Sequence, residues 1–259
     1  KYNEGIKLKQ DGKFAEAEAA LTAAIGLHAD YALAYLELGN VQFAQKKYGE
    51  AETSFQKVID LDASNANAWY NLGMTQMTTN QYKSAVTSLK KAIELKPTDL
   101  DAKKVLAETY YASDQFDAAV TAYRDCLALD SNDAVTYANL AKSYRGKDDL
   151  EGAAAAYQKA VALDPNFAEA YFNLGNALKD SKKYTGAISA YKKAIGADKT
   201  MYNAYYNLAI TYQMAEMYQE ALDGYKDFVR VAEGKKGMSA QLKRAKEYIP
   251  KLEEYLSQF

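Results

Sequence analysis

The chain has 259 residues, of which 49% are hydrophobic and 25% are charged, as in ordinary folded domains. Its 32 Lys and Arg against 34 Asp and Glu give a net charge of -2, which argues against a nucleic-acid-binding surface. One Cys and one His exclude an intramolecular disulfide and leave few groups for a metal site or for general-base catalysis. No apolar run is long enough to span a membrane. We therefore expect a soluble protein of the cytoplasm or periplasm, with no cofactor, no metal and no enzymatic activity.

An internal repeat of 34 residues runs through the sequence, and several columns keep the same register. Alanine fills one column: Ala17, Ala51, Ala85, Ala119, Ala153, Ala187 and Ala221. Leucine fills a second column: Leu38, Leu72, Leu106, Leu140, Leu174 and Leu208. Large apolar residues fill a third column: Phe14, Tyr48, Tyr82, Phe116, Leu150, Tyr184 and Tyr218. Because these columns share one period, coincidence does not explain them.

Each repeat predicts two helices. In residues 66–99, Trp69, Leu72 and Gly73 follow the spacing of one helix face, and a second face begins at Tyr82 after a short break. Two antiparallel helices need small residues where their backbones approach, and glycine suits that position. The repeat therefore predicts an antiparallel helix pair.

The third repeat carries the most complete pattern: Trp69, Leu72, Gly73, Tyr82, Ala85, Ala92 and Pro97. These residues resemble the tetratricopeptide repeat (TPR) family, and the resemblance covers residues 1–235. It implies an all-α fold, a right-handed superhelical solenoid of antiparallel helix pairs. We expect a C-terminal capping helix to follow the array.

In chain order, the first repeat, residues 1–31, lacks the opening residues of the pattern. Six complete repeats follow: 32–65, 66–99, 100–133, 134–167, 168–201 and 202–235. The last one departs from the pattern, because Phe228 stands in a column of small residues. Residues 236–259 do not repeat but keep helical spacing as far as Phe259, and Pro250 is expected to kink or split this helix. We expect the segment to cap the open end of the array; the alternative is an oligomerisation helix.

The resemblance also implies that the first helix of each repeat lines a concave groove that holds peptides. Asparagine fills the sixth position of five of the seven repeats: Asn3, Asn71, Asn139, Asn173 and Asn207. The ninth position adds Asn40 and Asn176, and we expect Asn40 to approach Asn71 and Asn176 to approach Asn207. An Asn amide offers both a donor and an acceptor, so such a ladder can bind a peptide backbone whatever its side chains. The alternative is that these amides cap local backbone groups or face water.

Aromatic and basic side chains lie beside the asparagines. Aromatic residues in the fifth position are candidate peptide anchors: Tyr70, Phe172 and Tyr206. Basic residues on exposed first-helix positions are candidate carboxylate ligands: Lys142, Arg145 and Lys179. The alternatives are burial of the aromatic rings and an ordinary solvated surface, in which Glu169 and Asp180 neutralise part of the positive charge.

These patterns together predict a protein–protein interaction scaffold. The expected partner is a protein or peptide segment in the concave groove, with no nucleic acid and no membrane span. Two alternatives remain open. One is a self-assembling structural protein that forms homo-oligomers, and the other is a regulatory module of a larger enzyme.

Overall fold

The computed structural model describes residues 1–258, and every regular element in that range is an α-helix, as predicted. Eight helices lie in the first half: α1 Tyr2–Gln10, α2 Phe14–Leu27, α3 Ala32–Ala44, α4 Tyr48–Leu61, α5 Ala66–Thr78, α6 Tyr82–Leu95, α7 Leu100–Ala112 and α8 Phe116–Leu129. Seven more follow: α9 Ala134–Gly146, α10 Leu150–Leu163, α11 Ala168–Asp180, α12 Tyr184–Ala197, α13 Tyr202–Met214, α14 Tyr218–Ala232 and α15 Ser239–Leu256. No helix within residues 1–258 is long and apolar enough to cross a membrane.

The helices form two compact units. The N-terminal unit, Lys1–Leu129, contains α1 to α8, and the C-terminal unit, Asp130–Phe259, contains α9 to α15. Within each unit, every helix packs against the next one along the chain. This packing of successive helix pairs is the arrangement of a helical-repeat solenoid.

A tight turn joins the two helices of each pair and carries one residue in the left-handed region. The first of these residues is Gly12, with φ of +74°. At the same 34-residue step, six residues other than glycine have φ between +57° and +62°: Lys46, Asn80, Asp114, Asp148, Lys182 and Glu216. In the second turn, the N–H of Lys47 donates to the carbonyl of Gln42 at 2.9 Å. This bond gives a hydrogen-bond donor to a carbonyl in the last turn of the first helix.

Small residues let the paired helices approach closely. The seven alanines of the first column have no exposed surface. Gly39 and Gly175 have an aromatic ring directly over the helix backbone, since a Cβ at either position would lie 2.6 Å from the ring of Phe55 or Tyr191. In these two repeats, an aromatic side chain of the second helix thus packs directly on the glycine of the first helix.

Helix α15 is continuous through Pro250, so the proline does not split it. The helix packs on α14, where Ala245 and Leu252 are buried. Ala245 also continues, at the 34-residue step, a column of fully buried residues: Val41, Thr75, Thr109, Ser143, Ala177 and Thr211. The register of the repeat therefore runs on into α15. Phe259, the last residue of the predicted helix, lies outside the described residues.

Candidate functional site

The predicted site residues lie on the first helices of their repeats, and both units contain some of them. Three lie in the N-terminal unit, on α3 and α5: Asn40, Tyr70 and Asn71. The others lie in the C-terminal unit, on α9, α11 and α13: Asn139, Lys142, Arg145, Phe172, Asn173, Asn176, Lys179, Tyr206 and Asn207. We call the surface formed by Asn139, Asn173, Asn176 and Asn207 the asparagine face.

Asn176 and Asn207 form a hydrogen-bonded pair that a buried tyrosine holds in place. Asn207 Nδ2 donates to Asn176 Oδ1 at 2.9 Å, which confirms the approach predicted from the register. The hydroxyl of Tyr191 on α12 donates to the same Oδ1 at 2.8 Å. Burial and the charge of Asp180 raise the pKa of the Tyr191 phenol, while the nearby Asn207 amide and the charge of Arg145 oppose the rise. The phenol therefore stays protonated and remains a donor at neutral pH.

This arrangement leaves one donor and one acceptor of the pair available. Both hydrogen bonds converge on Asn176 Oδ1, so Asn176 Nδ2 and Asn207 Oδ1 have no hydrogen-bond partner within residues 1–258. Both residues are half-buried, and their amides are fixed in orientation by the pairing. A fixed donor beside a fixed acceptor matches the C=O and N–H groups of an extended peptide backbone.

The corresponding pair in the N-terminal unit is arranged differently. Asn71 Nδ2 donates to Asn40 Oδ1 at 2.9 Å, again as the register predicts. Phe55 stands where Tyr191 stands in the C-terminal unit, so no hydroxyl reaches this oxygen. Asn40 Nδ2 instead lies 3.4 Å from Glu37 Oε2, and Lys9 pairs with the same carboxylate. The donor that is available on Asn176 is therefore engaged on Asn40.

Asn139 and Asn173 add further amides to the asparagine face. Both are half-buried, and neither side chain has a hydrogen-bond partner in the part of the chain that the structure describes. The backbone carbonyl of Asn139 accepts from Ser143 Oγ at 3.0 Å, so that contact leaves the side chain unoccupied. Their amides can accept and donate to a bound segment.

Acidic neighbours neutralise the three predicted basic ligands. Lys142 lies 3.0 Å from Glu169, while Arg145 and Lys179 lie 3.5 Å and 3.3 Å from the two carboxylate oxygens of Asp180. A carboxylate ligand must therefore displace an existing ion pair to bind any of the three cations.

The predicted aromatic anchors differ in exposure. Tyr206 is only 8% exposed because its ring packs against Tyr225 and Phe228, with centroids 6.2 Å and 5.1 Å away. Phe172 is half-buried, 6.0 Å from the ring of Tyr191. Tyr70 is also half-buried, and burial together with nearby carboxylates raises the pKa of its phenol. Of the two aromatic anchors in the C-terminal unit, Phe172 offers the larger surface to a ligand.

Sequence-family comparisons identify the repeats. A model described as "Tetratricopeptide repeat" matches residues 2–68, and a second one of the same description matches residues 66–99, 105–133 and 168–201. A model described as "TPR repeat" matches residues 141–181. The chain belongs to the tetratricopeptide repeat family. No curated protein sequence matches the chain.

Solved TPR structures have the same fold. The C-terminal part of a TPR repeat-containing protein from Cytophaga hutchinsonii is 16% identical, with a TM-score of 0.80, and the match covers 93% of this chain and 99% of that one. YrrB, described as a TPR protein with an unusual peptide-binding site, is 22% identical, with a TM-score of 0.62, over 71% of this chain and 95% of its own. MamA is 26% identical, with a TM-score of 0.60, over 62% of this chain and 95% of its own.

Several residues beneath or beside the first-helix surface are not predicted as site residues from the sequence. Tyr191 belongs to a column of large residues at the 34-residue step, with Phe55 and Tyr225, and only the structure shows that its hydroxyl reaches Asn176. Gln213 accepts from the buried Tyr225 hydroxyl at 2.8 Å in the same way. Arg244 on α15 lines the surface beside α13. The continuation of the repeat register at Ala245 is the signal that could have drawn attention to α15. No group of three or more His, Cys, Asp or Glu within residues 1–258 is placed to hold a metal ion.

Proposed function

We propose that this TPR protein is a protein–protein interaction scaffold whose asparagine face binds an extended segment of a partner protein. The observation that carries the proposal is the Asn176–Asn207 pair, which holds a free amide donor next to a free amide acceptor. Tetratricopeptide repeats are typically non-catalytic interaction scaffolds, and we propose no catalytic activity for this chain.

The chemistry favours backbone recognition over side-chain recognition. Each net hydrogen bond contributes about 0.5–1.5 kcal/mol, so several amides in a row are needed for useful affinity. Asn139, Asn173 and Asn207 recur at the 34-residue step and supply such a row. Because Tyr191 fixes the Asn176 amide before the ligand arrives, little conformational entropy is lost at that position on binding.

The remaining predicted site residues have subordinate roles in this proposal. Phe172 provides apolar contact beside the amides. The cations of Lys142, Arg145 and Lys179 contribute only where a ligand carboxylate can compete with Glu169 and Asp180. The N-terminal unit, with Asn40, Tyr70 and Asn71, provides a second and weaker surface. The peptide-binding site named for YrrB supports a peptide as the ligand class.

Residues 236–259 complete the array in this proposal. Ala245 and Leu252 share one buried cluster with Tyr225 and Phe228 of α14, and the ring of Tyr248 stacks on that of Tyr225 with centroids 5.6 Å apart. We propose that α15 is the cap of the seven repeats in residues 1–235, because a repeat array needs its last apolar face covered.

Affinity capture from a lysate of the source cell, with identification by mass spectrometry, tests this function. The native protein is compared with an Asn173→Ala/Asn207→Ala variant whose thermal midpoint lies within a few degrees of the native value. A partner retained by the native protein and lost by the folded variant is the expected result. Equal recovery by both proteins would place the binding surface elsewhere. Recovery of the chain alone would favour self-assembly.

A further inference from the structure

An open cleft separates α13 from α15, although both helices pack on α14. Its smaller pocket has a volume of about 330 Å³, and its larger pocket has a volume of about 710 Å³. Arg244 lines both pockets and therefore stands at the point where they meet. Neither the repeat pattern nor the family assignment gives this cleft a ligand.

Arg244 is an exposed cation with no acidic partner in residues 1–258. Lys142, Arg145 and Lys179 beside the asparagine face differ from Arg244, because each of them already lies beside a carboxylate. A planar guanidinium offers a carboxylate two parallel hydrogen bonds without first losing another partner. Within the described range, Arg244 thus adds a cation without an ion-pair partner beside the first-helix surface of the C-terminal unit.

The smaller pocket presents amides around that charge. Asn203, Asn207 and Gln241 line it together with Arg244, and no acidic side chain does. Gln241 lies 34 positions after Asn207, so it adds a fourth amide to the column of Asn139, Asn173 and Asn207. A carboxylate here would meet the Arg244 cation and the amide donors of Asn203 and Gln241, since Asn207 Nδ2 already donates to Asn176.

The larger pocket differs in character. Ile210, Met214 and Tyr248 supply apolar surface, and Glu247 and Lys251 also line the pocket. The Glu247 carboxylate repels a second acid, so the larger pocket favours an apolar or aromatic side chain. Lys251 lies over the ring of Tyr248, with its Nζ 5.9 Å from the centroid.

We propose that this cleft recognises an acidic side chain, Asp or Glu, that lies next to an apolar side chain within an extended partner segment. The acid binds Arg244 in the smaller pocket, and the apolar residue fills the larger one. The smaller pocket shares Asn207 with the asparagine face, so a segment that fills the larger pocket and also crosses the asparagine face carries its acid as an internal side chain. The inference rests on the proposed function, since the same segment continues across the asparagine face.

Three synthetic nonapeptide pools test the inference with the full chain. One has acetylated and amidated ends with Glu fixed at the centre, the second has Gln there, and the third is random with a free C-terminal carboxylate. Each pool is passed over immobilised protein, and the retained peptides are sequenced. We expect the Glu pool to be enriched in peptides with an apolar residue close to the Glu.

The Kd values of an enriched peptide and its Glu→Gln form are then measured against native protein and Arg244→Gln. Either change alone should weaken binding about tenfold or more, and the two together little further, because both remove one charge-assisted interaction. Lys243→Gln, an exposed neighbour that does not line the cleft, is the matched control and should change the Kd less than twofold. Neither variant should shift the thermal midpoint, since both side chains are exposed.

Equal affinity for the Glu and Gln peptides, or preference for the free-carboxylate pool, would overturn the inference. If those peptides still lose affinity for Asn207→Ala, the proposed function stands without it. If no pool is enriched over a column of unrelated protein, both the inference and the proposed function fail.

Discussion

The two units place the same kind of asparagine pair under different aromatic residues. In both, a glycine lies beneath an aromatic ring of the second helix, and two asparagines 31 residues apart share a hydrogen bond of 2.9 Å. Tyr191 adds a hydroxyl bond in the C-terminal unit, whereas Phe55 cannot do so in the N-terminal unit. The units also differ beside the pair, where Glu37 of the N-terminal unit corresponds to Asn173, so the Asn40 amide has a neighbouring carboxylate at this position and the Asn176 amide does not. If the asparagine face binds a peptide as proposed, a packing residue beneath the surface and the residue beside the pair both contribute to the difference between the units.

The largest expected effect comes from the packing that both units share. Gly39→Ala and Gly175→Ala should each lower the free energy of unfolding by about 2 kcal/mol, because the new methyl group overlaps a rigid ring and outweighs the gain in helix propensity. Urea unfolding followed by circular dichroism measures the loss. Gly196→Ala is the control, since a Cβ there has no neighbour within 4 Å. A loss at only one of the two glycines would show that the units do not share this packing.

The next effect concerns a buried contact that differs between the units. Ser88 Oγ donates to Gln76 Oε1 at 2.8 Å, and both side chains are buried. Ser88→Ala should lower the free energy of unfolding by about 1.5 kcal/mol, because it removes the donor that satisfies a buried oxygen. At the same columns the C-terminal unit has Leu178 and Ala190.

Copying that apolar pair into the N-terminal unit tests the explanation. Gln76→Leu combined with Ser88→Ala should recover most of the stability, because both atoms of the buried contact are then gone. Glu52 loses its hydrogen bond from Gln76 but is only partly buried and still accepts from Gln81. A double variant as unstable as Ser88→Ala, or less stable, would contradict this account of the contact.

A reciprocal exchange tests the hydroxyl itself. Tyr191→Phe should cost about 1 kcal/mol of unfolding free energy through the lost hydrogen bond, and it should also weaken peptide binding by releasing Asn176. Phe55→Tyr is the matched reverse change and should not lower stability. If Tyr191→Phe leaves both the unfolding midpoint and peptide affinity unchanged, the hydroxyl does not position the pair.

The smallest expected effect lies in the turns. Lys46→Gly and Lys182→Gly, one in each unit, should each raise the unfolding free energy by about 0.5 kcal/mol. Glycine removes the left-handed strain of about 1–2 kcal/mol, and its greater unfolded-state entropy cancels part of the gain. A small rise in the thermal midpoint of both variants measures the effect. A fall would show that the lysine side chains stabilise the turns in another way.

The 34-residue register predicts the helix pairs and the contacts of Asn71 with Asn40 and of Asn207 with Asn176. It succeeds because identical spacing along the chain gives identical stacking in space. It does not predict that the Tyr191 hydroxyl bonds to Asn176 on the asparagine face. The column indicates that a large side chain fits at this position, but it does not indicate where the hydroxyl oxygen lies.

At the C-terminal end the sequence departs from the repeat pattern, and for this reason the register predicts neither the burial of Tyr206 nor the position of Arg244. Phe228 replaces a small residue, and its ring covers Tyr206, so the position that is half-buried at Phe172 in the preceding repeat is buried here. Residues 236–259 lack most of the repeat columns, which conceals the contribution of Arg244 to the first-helix surface. The position of α15 depends on its packing against α14, which one sequence does not specify.

One comparison of affinities tests most directly whether the asparagine face is the peptide-binding site. A peptide selected on the native protein is titrated against Asn207→Ala and Asn71→Ala, which remove the same donor from the equivalent pairs of the two units. We expect a Kd about five- to tenfold weaker for Asn207→Ala and less than twofold weaker for Asn71→Ala, with both variants folded. Equal losses for the two variants, or no loss for Asn207→Ala, would contradict the assignment of the binding site to the asparagine face.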